Sequence, residues 1–433
     1  MPSNLRRDLG TLDSYAALIG ILIGAGIFKV TSDAWALTGP SVILGYLVLA
    51  PVILATSVAY SVYLSTPLGR APGGEYTHIS RTFGGYGLAF VGSWLKIISY
   101  IGALAYLASA FADYLTQLVP AVSHMGAAIG SLLFFYAIHV AGVRWFGRLQ
   151  VWMCVLLGVS LLVLIVPGLF AIRPENYRPF FTHGAGGFLA SLAPLFFAYA
   201  GFESLAQAAG EVRDSTSRLP RIFIRGISAT MVIYFLMSVV ALGVLPPAQL
   251  RVSTAPMADA AARYLPMGAA AMVTLGAIMA VATSLNATML VPSRVAIMLS
   301  EDGLAPRWVG RVSGRTGTPI IGLTITLAVA LALLISGRIS VALNIAVFAL
   351  VVLYFLHSLA FLLLPRLNPE LFASVTVRIP LSVQRITAVL SMAAMAVLIV
   401  QLARDRATMI LAGFWTLIGA VLYAFGRFRK RHE

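Results

Sequence analysis

The chain has 433 residues, of which 60% are hydrophobic and only 10% charged. A soluble domain carries about 25% charged residues, so water alone cannot solvate this chain and an all-α polytopic membrane protein is expected. The net charge of +15 would ordinarily point to nucleic acid, but the basic residues are dispersed between long apolar runs.

Hydropathy over a window of about 19 residues predicts twelve spans, at 13–38, 41–66, 88–118, 126–142, 147–171, 187–209, 222–245, 267–299, 319–336, 339–364, 383–403 and 407–427. With the N-terminus inside, alternate loops on its side receive most arginines, among them Arg6, Arg70, Arg144, Arg213, Arg294 and the tail from Arg427 to Arg431. The opposite side receives few basic residues, such as Lys29, Arg173, Arg251 and Arg338. That asymmetry predicts two cytoplasmic termini, and the short loops fit a bacterial inner membrane. A cleaved signal peptide is not expected, because the first apolar run is long and Asp13 interrupts its start. Nor is a metal centre: the six histidines are scattered without ligand spacing. Cys154 is the single cysteine, which excludes an intramolecular disulfide.

The first span contains IGILIGAGIF at 19–28, with Gly20, Gly24 and Gly26 within seven positions. Glycine costs about 1 kcal/mol relative to alanine inside a helix. The Gly20-xxx-Gly24 pair has a packing explanation, as a small-xxx-small helix interface. Gly24-Ala25-Gly26 instead predicts a broken helix, which is tolerated at membrane depth only where freed backbone groups line a protein cavity. Freed amides would hold a carboxylate and freed carbonyls an ammonium or a cation. That is an amino-acid site made of main chain. The sixth span repeats the feature in PLFFAYAGFESLAQAAGEV at 194–212, with Gly201 among aromatics and followed by Glu203. An acidic residue inside a span costs roughly 2.5–3.5 kcal/mol on insertion scales, which marks Glu203 as a functional candidate.

These segments, with GGEY at 73–76, the GEV…LPR continuation to 221, SLNATMLVPSRVAIMLSEDGLAP at 284–306 and GTP at 317–319, resemble the amino acid–polyamine–organocation superfamily. The resemblance runs from about residue 10 to 365 and weakens in the last two helices. It implies a leucine-transporter-like fold: a 5+5 inverted repeat with broken helices 1 and 6, plus two C-terminal helices. On that reading residues 1–12 are a cytoplasmic tail, 13–180 the first repeat, 181–365 the second, and 366–433 helices 11 and 12 with a basic tail. The activity implied is secondary transport of an amino acid by alternating access. The substrate carboxylate would meet the amides of Gly24, Ala25 and Gly26, and the amine the carbonyls of Leu22, Phe197 and Ala200. Phe197 matches an aromatic gate position, with Tyr199 and Phe202 beside it, and Ser99, Tyr100 and Ala103 wall the pocket. Glu203 is the one pocket charge expected, which favours a neutral, small or apolar substrate.

For the driving ion, Ala280, Thr283 and Ser284 stand at i, i+3 and i+4 on one face of the eighth span. Sodium-coupled relatives of the fold use such a hydroxyl pair with first-span carbonyls, here Gly20 and Ile23. Some relatives place a lysine in the fifth helix for proton coupling; this chain has none there, and a coupled proton would sit on Glu203 instead. Ser215 replaces the proline usual after the sixth helix. Glu75, Glu211, Arg213 and Arg294 are expected as gate or loop ion pairs, and Asp113 as part of an outer gate. Ion-free exchange or export remains open, and an amino-acid sensor is the alternative of another class, disfavoured by the short C-terminal extension. A membrane enzyme lacks the necessary constellation of reactive side chains. No cofactor is expected beyond sodium or protons as coupling ion.

Overall fold

The computed structural model describes residues 7–28, 30–250, 253 and 256–432; Arg6, Lys29 and Arg251 lie outside them. The described chain is helical, and eleven of its stretches are long and apolar enough to cross a membrane. A twelfth apolar helix, Ile320–Ile335, has 16 residues.

The first span comprises Thr11–Leu22, Ala25–Phe28 and Val30–Thr38, and a 3-10 turn at Gly39–Ser41 leads into the second, Val42–Leu64. Asp13 belongs to the helix start: its carboxylate accepts from the Gly10 amide at 2.8 Å, where the helix dipole favours negative charge. Spans three to five are Gly87–Leu118, His124–Ala141 and Val143–Gly168. The sixth is Gly184–Tyr199 followed, after a turn, by Ser204–Gln207. The remaining spans are Ser215–Val244, Met267–Glu301, Ile320–Ile335, Ile339–Leu367, Leu381–Leu402 and Arg406–His432. Each of the twelve expected segments thus coincides with helix, the first and sixth with interruptions.

Burial grades these helices from centre to rim. In the third span 78% of the most apolar window is buried inside the protein, against 17% in the twelfth. The fifth span shows the lipid face directly: Trp152, Val155, Val159, Leu162 and Val166 are all exposed. Their steps of three and four residues put them on one side of a helix, a stripe that would be unstable in water and is at home in hydrocarbon.

One end of the bundle is tied together by the N-terminal segment. The Leu9 amide donates to the Glu211 carbonyl, and the Arg213 amide donates to the Leu9 carbonyl, each at 3.0 Å. Asp8 approaches Arg144 at 3.6 Å, and Arg218 donates to Thr11 at 2.8 Å. The loops after spans four and six therefore share an end with the N-terminus. On the same end GGEY forms a tight turn into a short helix, Glu75–Phe83, with Gly73 and Gly74 at φ +109° and +44°. At the far end the amide of Asn344 and the hydroxyl of Thr408 donate to Asp405, holding its carboxyl below the usual range.

Candidate functional site

The first span breaks at Ile23–Gly24, between Thr11–Leu22 and Ala25–Phe28. The sixth breaks at Ala200–Glu203, where Gly201 adopts φ +102°. Both breaks flank one small cavity of about 40 Å³. Of the expected pocket residues, Leu22, Gly26, Ser99, Tyr100, Ala103, Phe197 and Ala200 line it. So do Ile21, Leu107, Gly201, Ser284, Thr288 and Leu350, among others; among the described residues no charged side chain does. The half-buried Phe197 packs edge-on against Tyr106, with centroids 5.3 Å apart.

Each first-span glycine has its own close neighbour. A Cβ on Gly20 would press on Gln150 and on Cys154 of span five, the latter at 2.8 Å. One on Gly24 would strike the Ser284 hydroxyl of span eight, and one on Gly26 the backbone of Ala198 in span six. The packing explanation offered for Gly20 and Gly24 therefore holds, and it holds together with the break. Gly26 brings the two broken spans into direct contact.

Several expected contacts fall elsewhere. Tyr199, the last residue of its half-helix, turns away from the cavity and donates to the Tyr46 carbonyl at 3.1 Å. Phe202 packs on Tyr60, Phe223 and Tyr354. Gly24 and Ile23 are not among the residues that line the cavity. The Leu22 carbonyl accepts from the Gly24 amide at 2.8 Å and from the Tyr234 hydroxyl, while that of Phe197 accepts from the Ala200 amide at 3.1 Å. Tyr234 also reaches the Ala198 carbonyl at 2.6 Å, bridging the two breaks from span seven.

Behind the cavity lies a charged cluster. Glu203 is fully buried and accepts from the Tyr100 hydroxyl at 2.6 Å, the Gly201 amide at 3.0 Å and the Tyr354 hydroxyl. Glu203 itself does not line the cavity, but Tyr100 and Gly201 do. The expectation that Glu203 is the one charge near the pocket is corrected by Lys96. This third-span lysine is 1% exposed, and its ammonium lies 5.4 Å from the Tyr100 ring centre. It pairs with Glu75 at 2.8 Å; Gln207 of span six donates to the same carboxylate at 2.6 Å, as does Tyr60 of span two. Glu75 is a buried ion pair, not a solvated loop charge. The signal was present as one lysine in WLKIISY, inside an otherwise apolar run.

The remaining ion-pair candidates separate. Arg294 and Glu211 meet at 3.0 Å, both buried, joining the end of span eight to the segment after span six. Arg213 donates to the Arg7 carbonyl instead, and Asp113 meets His124 at 2.9 Å in a partly exposed contact. The sequence separation of His78 and His357 hid their meeting: their ring nitrogens lie 3.0 Å apart in the core, next to Tyr60 and Tyr63. Among the described residues, no group of three or more His, Cys, Asp or Glu side chains is arranged to hold a metal.

Four of the five oxygens expected around a sodium ion also gather. The Thr283 hydroxyl lies 2.7 Å from the carbonyls of both Gly20 and Ala280. The Ser284 hydroxyl lies 3.2 Å from the Gly20 carbonyl and 3.0 Å from that of Ile21.

Comparison with known proteins agrees with this architecture. The chain is 27% identical over 336 residues to the methylthioribose transporter of Bacillus subtilis, covering 73% of this chain and 72% of that protein. It is 25% identical over 339 residues to a branched-chain amino acid permease of the same organism, covering 73% and 72%. An uncharacterized transporter of Mycobacterium bovis is 28% identical over 357 residues, covering 82% and 79%. The family model described as amino acid permease matches residues 9–423, nearly the whole chain, and the protein belongs to that family of membrane transporters.

Proposed function

We propose that this permease carries a neutral, small or apolar amino acid by alternating access, with proton coupling at Glu203. The observation that carries the substrate class is the cavity between the two helix breaks, whose described lining is free of charged side chains. Main-chain groups at the breaks would hold the amino-acid backbone, and Ile21, Leu107, Phe197 and Leu350 would meet an apolar side chain. The similarity to branched-chain amino acid permeases supports that class. In this reading spans one, two, six and seven rock against spans three, four, five, eight, nine and ten, which belong to two inverted repeats, 13–180 and 181–365. The membrane is a bacterial inner membrane with both termini cytoplasmic.

The proton reading rests on charge balance. Glu203 and Glu75 face a single ammonium, Lys96, in a buried cluster. Fully ionised, the cluster holds one uncompensated negative charge in the low-dielectric interior, where an unpaired charge costs several kcal/mol. A proton on Glu203 removes it, and Tyr100 links that carboxyl to the cavity wall. A second reading, sodium coupling, is favoured by the oxygens gathered around Thr283 and Ser284, since oxygen ligands suit a hard cation.

Uptake of labelled neutral amino acids into proteoliposomes, under an imposed pH gradient or an imposed sodium gradient, separates the two. Stimulation by the pH gradient alone is expected. Stimulation by sodium alone, lost on replacing Thr283 and Ser284 with alanine, would transfer the coupling role to that pair. Flux of neutral amino acids driven only by counter-substrate would identify an exchanger.

A further inference from the structure

Where the second span ends and the seventh and eleventh begin, a groove of about 760 Å³ opens at the bundle end that carries the N-terminus. Val58, Ile224, Ile379 and Val383 give it an apolar floor. Three exposed arginines rim it: Arg221 and Arg225 on the seventh span and Arg378 just before the eleventh. Among the described residues no acidic side chain lines the groove, and none pairs with these three arginines. Arg221 and Arg225 stand four residues apart on one helix, a spacing at which like charges oppose one another. Arg218, on the same helix, is by contrast engaged, with Asp214 at 2.8 Å and Thr11 at 2.8 Å.

We propose that this groove binds an anionic glycerophospholipid, its phosphate held among Arg221, Arg225 and Arg378 and an acyl chain laid along the apolar floor. Guanidinium groups grip phosphate through paired charge-assisted hydrogen bonds. Basic pockets between spans at the end of a bundle suit lipid headgroups. The phosphate relieves the repulsion along the seventh span, and the acyl chain covers apolar surface that a free phosphate would leave open. Bound there, the lipid ties the eleventh span to the second and seventh.

The test uses the full chain, purified in detergent and freed of lipid, with phosphatidylglycerol, phosphatidylcholine of matched acyl chains, and inorganic phosphate as probes. Native mass spectrometry reads retention and thermal melting reads stabilisation. Phosphatidylglycerol is expected to be retained and to raise the melting temperature, with phosphatidylcholine far weaker. The exposed-surface variant Arg221→Gln/Arg225→Gln/Arg378→Gln should weaken retention by roughly tenfold or more, as loss of charged hydrogen bonds implies. Arg338→Gln/Arg404→Gln, at the opposite end, should leave retention unchanged. Equal retention of both lipids, or retention unaffected by the triple variant, would overturn the proposal. So would stabilisation reproduced in full by millimolar inorganic phosphate, which would reassign the site to a soluble anion.

Discussion

At the scale of single residues, glycine in the first span performs two tasks that look exclusive in sequence. Gly24 and Gly26 weaken the helix where it breaks, and each also admits a neighbour where a methyl group would collide. Replacing Gly26 therefore tests packing as much as binding, because its added Cβ meets the Ala198 backbone. Glu203 offers a cleaner test. Glu203→Gln keeps an oxygen acceptor for the Gly201 amide and the Tyr354 hydroxyl and turns an NH2 donor toward the Tyr100 oxygen, so the fold should persist. The variant should still exchange labelled for unlabelled substrate across proteoliposomes. Its uptake should no longer respond to a pH gradient. If pH-driven uptake survived in Glu203→Gln at the unmodified rate, the carboxyl would be a structural acceptor and the coupling group would lie elsewhere.

At the scale of elements, the existence of the helices was legible because hydrophobic runs and glycine interruptions are local properties, whereas their bounds were not: the seventh begins at Ser215, seven residues before the expected 222, because its first turns are polar. Nor was the orientation of side chains around a break. Tyr199 and Phe202 sit at the end of a half-helix and within the turn, where the 3.6-residue period stops and no register carries across. Ser99 and Tyr100, in an unbroken helix, were placed at the cavity as expected. Lys96 escaped because a 19-residue average absorbs one charge, and its partner Glu75 lies beyond the loop on another helix. That pair crosses from the short helix after span two to span three, and Gln207 adds span six. Removing one partner of such a buried pair costs about 3–5 kcal/mol, since the other charge is stranded. Lys96→Met is thus expected to lower the melting temperature sharply, and Lys96→Met/Glu75→Gln to recover most of the loss. A double variant no more stable than the single one would mean that Glu75 does not depend on Lys96 for its burial.

At the scale of the whole molecule, the charge of +15 is explained by sidedness only if each helix crosses in turn. The weakest link in that alternation is Ile320–Ile335. At 16 residues and 1.5 Å per residue it spans about 24 Å, short of the roughly 30 Å hydrocarbon core. A short helix can still cross where flanking residues reach the interface or the bilayer thins, and this one is surrounded by longer neighbours. The question can be put to the two loops that flank it. Gly314 and Ser336 are exposed on either side, and a Cβ on Gly314 meets nothing within 4 Å. In a Cys154→Ala background, which removes the single native thiol, Gly314→Cys and Ser336→Cys are each labelled with a membrane-impermeant maleimide on intact cells. Ser336→Cys should react from outside, and Gly314→Cys only after the cells are opened. Reaction of both from one side would mean that the helix does not cross. The loops on either side of span nine would then share a face, every later segment would invert, and the basic C-terminal tail would lie opposite the N-terminus.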